Sequence, residues 1–184
     1  MKHTVKAMLL IALFAALTAV GAFLRVPLGA VSFTAQVFFT CMAGVLLGPY
    51  DGAASQAVYV LLGLIGVPIF TEGGGLMYFA KPTFGFLLGL IPMAFVIGLA
   101  ADRLPVKNVR LRLMLACAIG LVVLYAVGLP YLYFVLGGAW SVGKTLVSGC
   151  LIFLPFDAVK IVCAAFLGAR LRSVPSILAF RSRL

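Results

Sequence analysis

The chain has 184 residues, of which 65% are hydrophobic and only 10% charged. A water-soluble domain carries roughly a quarter of its residues as Asp, Glu, Lys and Arg, so this composition excludes one. Its net charge of +10 also fails as a nucleic-acid signature, because long charge-free stretches separate the basic residues. No nucleic acid is expected as a partner.

The charge-free stretches run from Lys6 to Arg25, Arg25 to Asp51, Asp51 to Glu72, Lys81 to Asp102 and Arg112 to Lys144. Each approaches or exceeds the roughly 20 residues that cross the hydrocarbon as a helix. A further apolar run, from Lys144 to Arg170, contains Asp157 and Lys160. The expected fold is therefore all-α: one membrane domain over 1–184, a bundle of six transmembrane helices near 5–24, 33–47, 52–66, 83–101, 112–136 and 144–168.

Helix 1 follows Lys2 and Lys6 and outlasts a signal-peptide core, and the chain stays apolar after it, so it is read as retained. It carries Ala12, Ala15, Ala16 and Ala19, two overlapping AxxxA spacings. Small residues one turn apart form a flat groove that suits either a docked partner helix or internal packing. Helices 2 and 3 are short and joined by Gly48-Pro49-Tyr50-Asp51-Gly52, a tight turn. Ser32, Thr34, Gln36 and Thr40 lie where helix 2 begins; the Gln36 amide needs a partner in lipid, from another helix or from a ligand.

The connection over 67–82 is the longest non-helical stretch and contains Gly73, Gly74 and Gly75. Three glycines let backbone approach closely; a packed lid and a loose external loop both remain open. Tyr78, Tyr131, Tyr133 and Trp140 fall at the depth where aromatic residues anchor spans. Pro92, Pro130 and Pro155 are candidate helix kinks.

Lys and Arg counts set the orientation. Lys2, Lys6, Arg103, Lys107, Arg110, Arg112, Arg170, Arg172, Arg181 and Arg183 share one side, against Arg25, Lys81 and Lys144. The crowded side is cytoplasmic, so both termini are expected there, with connections 25–32, 67–82 and 137–143 outside.

Helix 6 holds Leu154-Pro155-Phe156-Asp157-Ala158-Val159-Lys160. Asp157 and Lys160, three apart, share a helical face. A charge at the centre of a span costs about 2.5–3.5 kcal/mol, so two need a reason. One is a self-neutralising pair that pins neighbouring helices; the other is a polar floor for a ligand with donors and acceptors.

Cys41, Cys117, Cys150 and Cys163 are scattered without CxxC spacing, and His3 is the single histidine, so no metal site is expected. No Walker, GxSxG or HExxH motif is present, so no enzyme activity is expected and any ATP hydrolysis must come from another subunit.

The ordered segments resemble one family. Val31-Ser32-Phe33-Thr34-Ala35-Gln36 is similar to a VPITLQ-type stretch and Ala43-Gly44-Val45-Leu46-Leu47-Gly48-Pro49 to an AGLLLGP turn. Gly66-Val67-Pro68-Ile69-Phe70, the glycine triplet and Pro82-Thr83-Phe84-Gly85 resemble a GLPVF…GG…GPTGG loop, and Gly128-Leu129-Pro130-Tyr131 with Leu154 to Lys160 resemble GVPW and LPGDLLK segments. Together they resemble the biotin-specific substrate-binding subunit (S component, BioY family) of energy-coupling factor (ECF) transporters.

The resemblance implies a bacterial plasma-membrane subunit that binds biotin as transported ligand, without a cofactor, and docks on a transmembrane coupling subunit driven by two ATPases; the AxxxA groove of Ala12, Ala15, Ala16 and Ala19 is the expected docking surface. It leaves room for a homo-oligomer. By position it makes Asp157 and Lys160 the ligand contacts. Thr34, Gln36, Phe70, Glu72, Gly74, Gly75, Tyr78, Thr83 and Tyr131 complete the expected site. Three departures, Lys81 and Phe84 where the family has glycine and the added acid Glu72, keep a different vitamin as an alternative. A small lipid-modifying membrane enzyme, with Asp157 and Lys160 catalytic, is the remaining reading.

Overall fold

The computed structural model describes residues 5–28, 31–136, 140–175 and 177. Lys2, His3, Arg181, Arg183, the two chain ends and residues 137–139 of the expected 137–143 connection lie outside them.

The chain is mostly helical, but not purely so. Helix α1 (Val5–Phe23) is followed by an antiparallel hairpin of β1 (Arg25–Leu28) and β2 (Val31–Thr34), where an irregular connection and the start of helix 2 were expected. β2 therefore carries Ser32 and Thr34 in extended backbone, and helix begins only at Gln36. A hairpin pairs the facing backbone groups of this stretch with one another.

Helix α2 (Gln36–Leu64) covers both expected helices 2 and 3 as one run, broken at Gly48, whose φ of 83° and ψ of −172° are non-helical. A residue with a Cβ is strongly disfavoured in that conformation. The break folds the run back on itself. Thr40 and Gln56 would lie about 24 Å apart along a straight helix, yet the Thr40 hydroxyl donates to Gln56 Oε1 at 3.1 Å. The Gln36 amide donates to the Tyr59 hydroxyl at 2.9 Å. Two antiparallel halves result, with the Gly48 turn at one end.

A connection over 65–83 contains a short 3-10 turn (Leu76–Ala80) and leads to α3 (Phe84–Arg103). α4 (Val109–Val135) follows, its first turn capped by the Asn108 side chain, which accepts from the Arg110 and Leu111 amides. α3 continues through Pro92 and α4 through Pro130.

The last apolar run, Val142 to Arg172, is a long helical run with irregular turns inside it. It comprises α5 (Val142–Leu146), a π-helical turn (Val147–Leu151) and α6 (Leu154–Arg172). Pro155 occupies the first turn of α6, directly after the π-helical turn, where its missing N–H is tolerated.

Among the described residues, five runs are long and apolar enough to cross a membrane: α1, α2, α3, α4 and the stretch from Val142 to Arg172. α2 sits centrally, against α1, α3 and α6, and α4 packs on α3 and α6. Small residues set the spacing. A Cβ on Gly98 would lie 2.3 Å from the Pro49 nitrogen, so α3 meets the α2 turn backbone to backbone. At that same end, Arg172 donates to the Val45 and Ala101 carbonyls and pairs with Asp102 at 3.1 Å, tying α6 to α2 and α3. The β hairpin and the 65–83 connection lie at the opposite end.

Candidate ligand-binding site

The fragmentation of the last run places the charged pair. Because α6 starts at Leu154, Asp157 falls in its first turn, where the helix dipole favours a negative charge. Only 3% of Asp157 is exposed. Lys160 Nζ lies 2.7 Å from Asp157 Oδ1, and the Tyr125 hydroxyl, from α4, donates to Oδ2 at 2.6 Å. Lys160 Nζ also sits 3.9 Å from the ring centroid of Phe33 on β2, a cation–π contact. The buried ammonium is thus held by a carboxylate and an aromatic face, with its side chain 11% exposed.

These groups face a half-enclosed cavity between the bundle, the hairpin and the 65–83 connection. Thr34, Gln36, Tyr78, Thr83, Asp157 and Lys160 line it, as expected from sequence. Apolar wall comes from Val37, Phe86, Leu87, Leu90, Leu124 and Phe153, and further polar atoms from Ser32, Thr71 and Tyr125. Polar side chains from several elements set among apolar walls suit a ligand with hydrogen-bonding groups and a hydrocarbon body.

An ionised carboxylate offers about four lone-pair sites. Tyr125 and Lys160 use one on each oxygen, so the remaining two can accept a pair of N–H donors. Lys160 carries two further N–H bonds that can reach a carbonyl or carboxylate. The site is therefore a paired donor and acceptor for a neutral, urea-like group.

Five expected residues fall outside the cavity lining, and each has a structural position. Phe70 is 1% exposed and packs between Tyr59 and Tyr78, with ring centroids 5.5 and 4.6 Å away. Tyr131 packs on Phe84 and its hydroxyl donates to the Phe79 carbonyl. The Gly75 amide donates to the Gly63 carbonyl at 2.7 Å, and a Cβ on Gly74 would lie 2.3 Å from the Val67 carbonyl oxygen. Glu72 pairs with Lys81 at 2.8 Å, both about half exposed. That hydrogen bond and charge raise the Lys81 ammonium above its ordinary pKa.

The 65–83 connection is accordingly a packed cover and not a loose loop. Phe70 and Gly73 exchange backbone hydrogen bonds, Thr71 and Tyr78 share one between their hydroxyls at 2.8 Å, and Arg25 of β1 donates to the Thr71 carbonyl.

Sequence reasoning missed Tyr125 and Phe33, the two residues that hold the charged pair from other elements. A phenol in the middle of an apolar span, far from either interface, was the available signal for Tyr125. Phe33 carried none beyond its place in the 31–36 segment.

The helix 1 alanines separate. Ala15 is buried and Ala19 partly so, packed toward the bundle, whereas Ala12 and Ala16 are exposed. One AxxxA spacing is internal packing and the other is open surface.

A multi-helix membrane bundle with a half-enclosed cavity beside a packed cover, lined by a buried carboxylate and its lysine, is a ligand-capturing membrane protein. The comparisons with known proteins define it further. The BioY family profile matches residues 1–176. The chain is 42% identical to a probable biotin transporter BioY of Lysinibacillus sphaericus, over 91% of this chain and 87% of that one. It is 38% identical to the biotin transporter BioY of Thermotoga maritima, over 88% and 93%. A crystal structure of the S-component for biotin from an ECF-type ABC transporter superposes with a TM-score of 0.83 at 28% identity, covering 92% of each chain. The chain belongs to the BioY family and is a multi-pass membrane protein.

Proposed function

We propose that this chain is the high-affinity biotin-binding subunit of an ECF-type vitamin uptake transporter in a bacterial plasma membrane. The observation that carries the reading is the Asp157–Lys160 pair, buried in the cavity and completed by Tyr125, in a chain of this family. The ureido ring of biotin has two N–H donors and one carbonyl. Asp157 accepts from the donors, and Lys160 donates to the carbonyl or to the acid group. Thr34, Gln36, Tyr78 and Thr83 are the remaining polar contacts, and Phe86, Leu87, Leu90 and Leu124 enclose the thioether ring and aliphatic chain. Phe70, Gly74, Gly75 and Tyr131 act on the ligand through the cover they shape, and Glu72 lies aside.

Counting the two halves of α2 as separate crossings gives six spans. The Gly48 turn, residues 104–108 and Arg172 then face the cytoplasm, and the cavity opens outside. The exposed Ala12 and Ala16 on α1 are the docking stripe for a transmembrane coupling subunit, with hydrolysis supplied by two ATPase subunits.

Calorimetric titration of the purified protein with biotin tests the reading. Submicromolar binding, stronger than about −8 kcal/mol, is expected; its absence overturns the assignment. Glu72 and Lys81 satisfy one another outside the cavity, so they do not favour a different vitamin.

A further inference from the structure

A chain of hydrogen bonds, buried at its middle, runs from the cavity wall to the cover. The Thr34 hydroxyl donates to Gln36 Oε1 at 3.0 Å, and Gln36 Nε2 donates to the Tyr59 hydroxyl at 2.9 Å. The Tyr59 hydroxyl in turn donates to the Ile69 carbonyl at 3.2 Å. Thr34 and Gln36 line the cavity; Ile69 belongs to the 65–83 connection; Tyr59, wholly buried in the second half of α2, does not line the cavity.

The same tyrosine is bound to the cover through its ring. Phe70, the next residue after Ile69, meets Tyr59 edge to face, at 5.5 Å and 80°. On its other side Phe70 contacts Tyr78, which lines the cavity. Gly63 makes this seat, since a Cβ there would fall 2.1 Å from the Phe70 ring. Tyr59 thus grips two consecutive residues of the cover and one side chain of the cavity wall at once.

We infer that Tyr59 is a positioning residue that couples Gln36 at the cavity to the seating of the 65–83 cover, and so sets how long a bound ligand is retained. The inference rests on the biotin reading of the cavity. The physical basis is that one hydroxyl serves both sides. A ligand that takes up the second N–H of the Gln36 amide fixes the amide, and a fixed amide holds the Tyr59 hydroxyl aimed at the Ile69 carbonyl. Without the hydroxyl, the cavity wall and the cover lose their shared polar contact, while the ring packing stays.

Tyr59→Phe tests this in the full-length detergent-purified protein, with labelled biotin followed by stopped flow and with hydrogen exchange of the cover. The expected result is dissociation faster by about tenfold, the order of one buried hydrogen bond, with association changed less than twofold. Biotin-induced protection of amides 69–79 should fall in parallel. A purely structural role would lower the melting temperature and leave the dissociation rate and the cover's ligand-dependent protection at wild-type values, which would overturn the proposal. Phe70→Leu, which loosens the same seat from the cover side, should also speed dissociation. If Tyr59→Phe does not fold, an unchanged dissociation rate in Phe70→Leu overturns it. Failure of the wild-type protein to bind biotin would instead sink the ligand assignment, a distinguishable outcome.

Discussion

Tyr125 and Asp157, 32 residues apart and on different helices, meet at 2.6 Å, with the phenol donating to the carboxylate oxygen that Lys160 does not hold. The contact fixes the carboxylate plane, and with it the direction of the lone pairs left for a ligand. It also recasts the charged pair: Lys160 neutralises Asp157, and Tyr125 aims it.

Tyr125→Phe should therefore weaken biotin binding by about 10- to 100-fold, the value of one hydrogen bond to a charged group. Titration calorimetry measures it. Wild-type affinity would show that the carboxylate is oriented by its own helix alone.

Separating a site from a structural pin requires both members of the pair. Asp157→Asn and Lys160→Ala should each cost about 3–5 kcal/mol in stability or binding, because each strands a buried partner. Replacing both by Leu should restore thermal stability in detergent but not biotin binding. Recovery of binding would mean that the pair only ties helices together.

The two AxxxA spacings on α1 should behave differently. Ala16→Leu, at an exposed position, should leave biotin binding unchanged and shift stability by less than about 0.5 kcal/mol, yet abolish uptake in cells. Ala15→Leu, at a buried one, should destabilise the bundle by about 1–3 kcal/mol. Uptake that survives Ala16→Leu would move the docking surface elsewhere.

Gly98→Ala places a methyl group against the Gly48–Pro49 backbone at 2.3 Å. Backbone cannot rotate away as a side chain can, so the cost should reach about 3 kcal/mol, the upper end for overpacking. A thermal melt in detergent reads it, and a wild-type midpoint would show that the two halves of α2 can shift together.

Glu72→Gln should leave the biotin dissociation constant within about twofold of wild type, since an exposed ion pair contributes about 0–1 kcal/mol. A larger loss would bring Glu72 back into the site.

Hydrophobic run length and the placement of charges were sufficient to read a membrane bundle, the approximate crossings, and Asp157 and Lys160 as its costliest residues, because those properties depend on what each residue does in lipid. The sequence also marked Gly48 as a turn. It did not reveal that the last span divides into α5, a π-helical turn and α6: apolarity is the same whether a helix is whole or broken, and Pro155 suits a first turn as well as a kink. Nor could spacing along one helix find Tyr125, Phe33 or Tyr59. Their roles come from contacts between elements distant in sequence, and only the packing of α2, α4, α6 and the hairpin around one cavity decides which side chains meet.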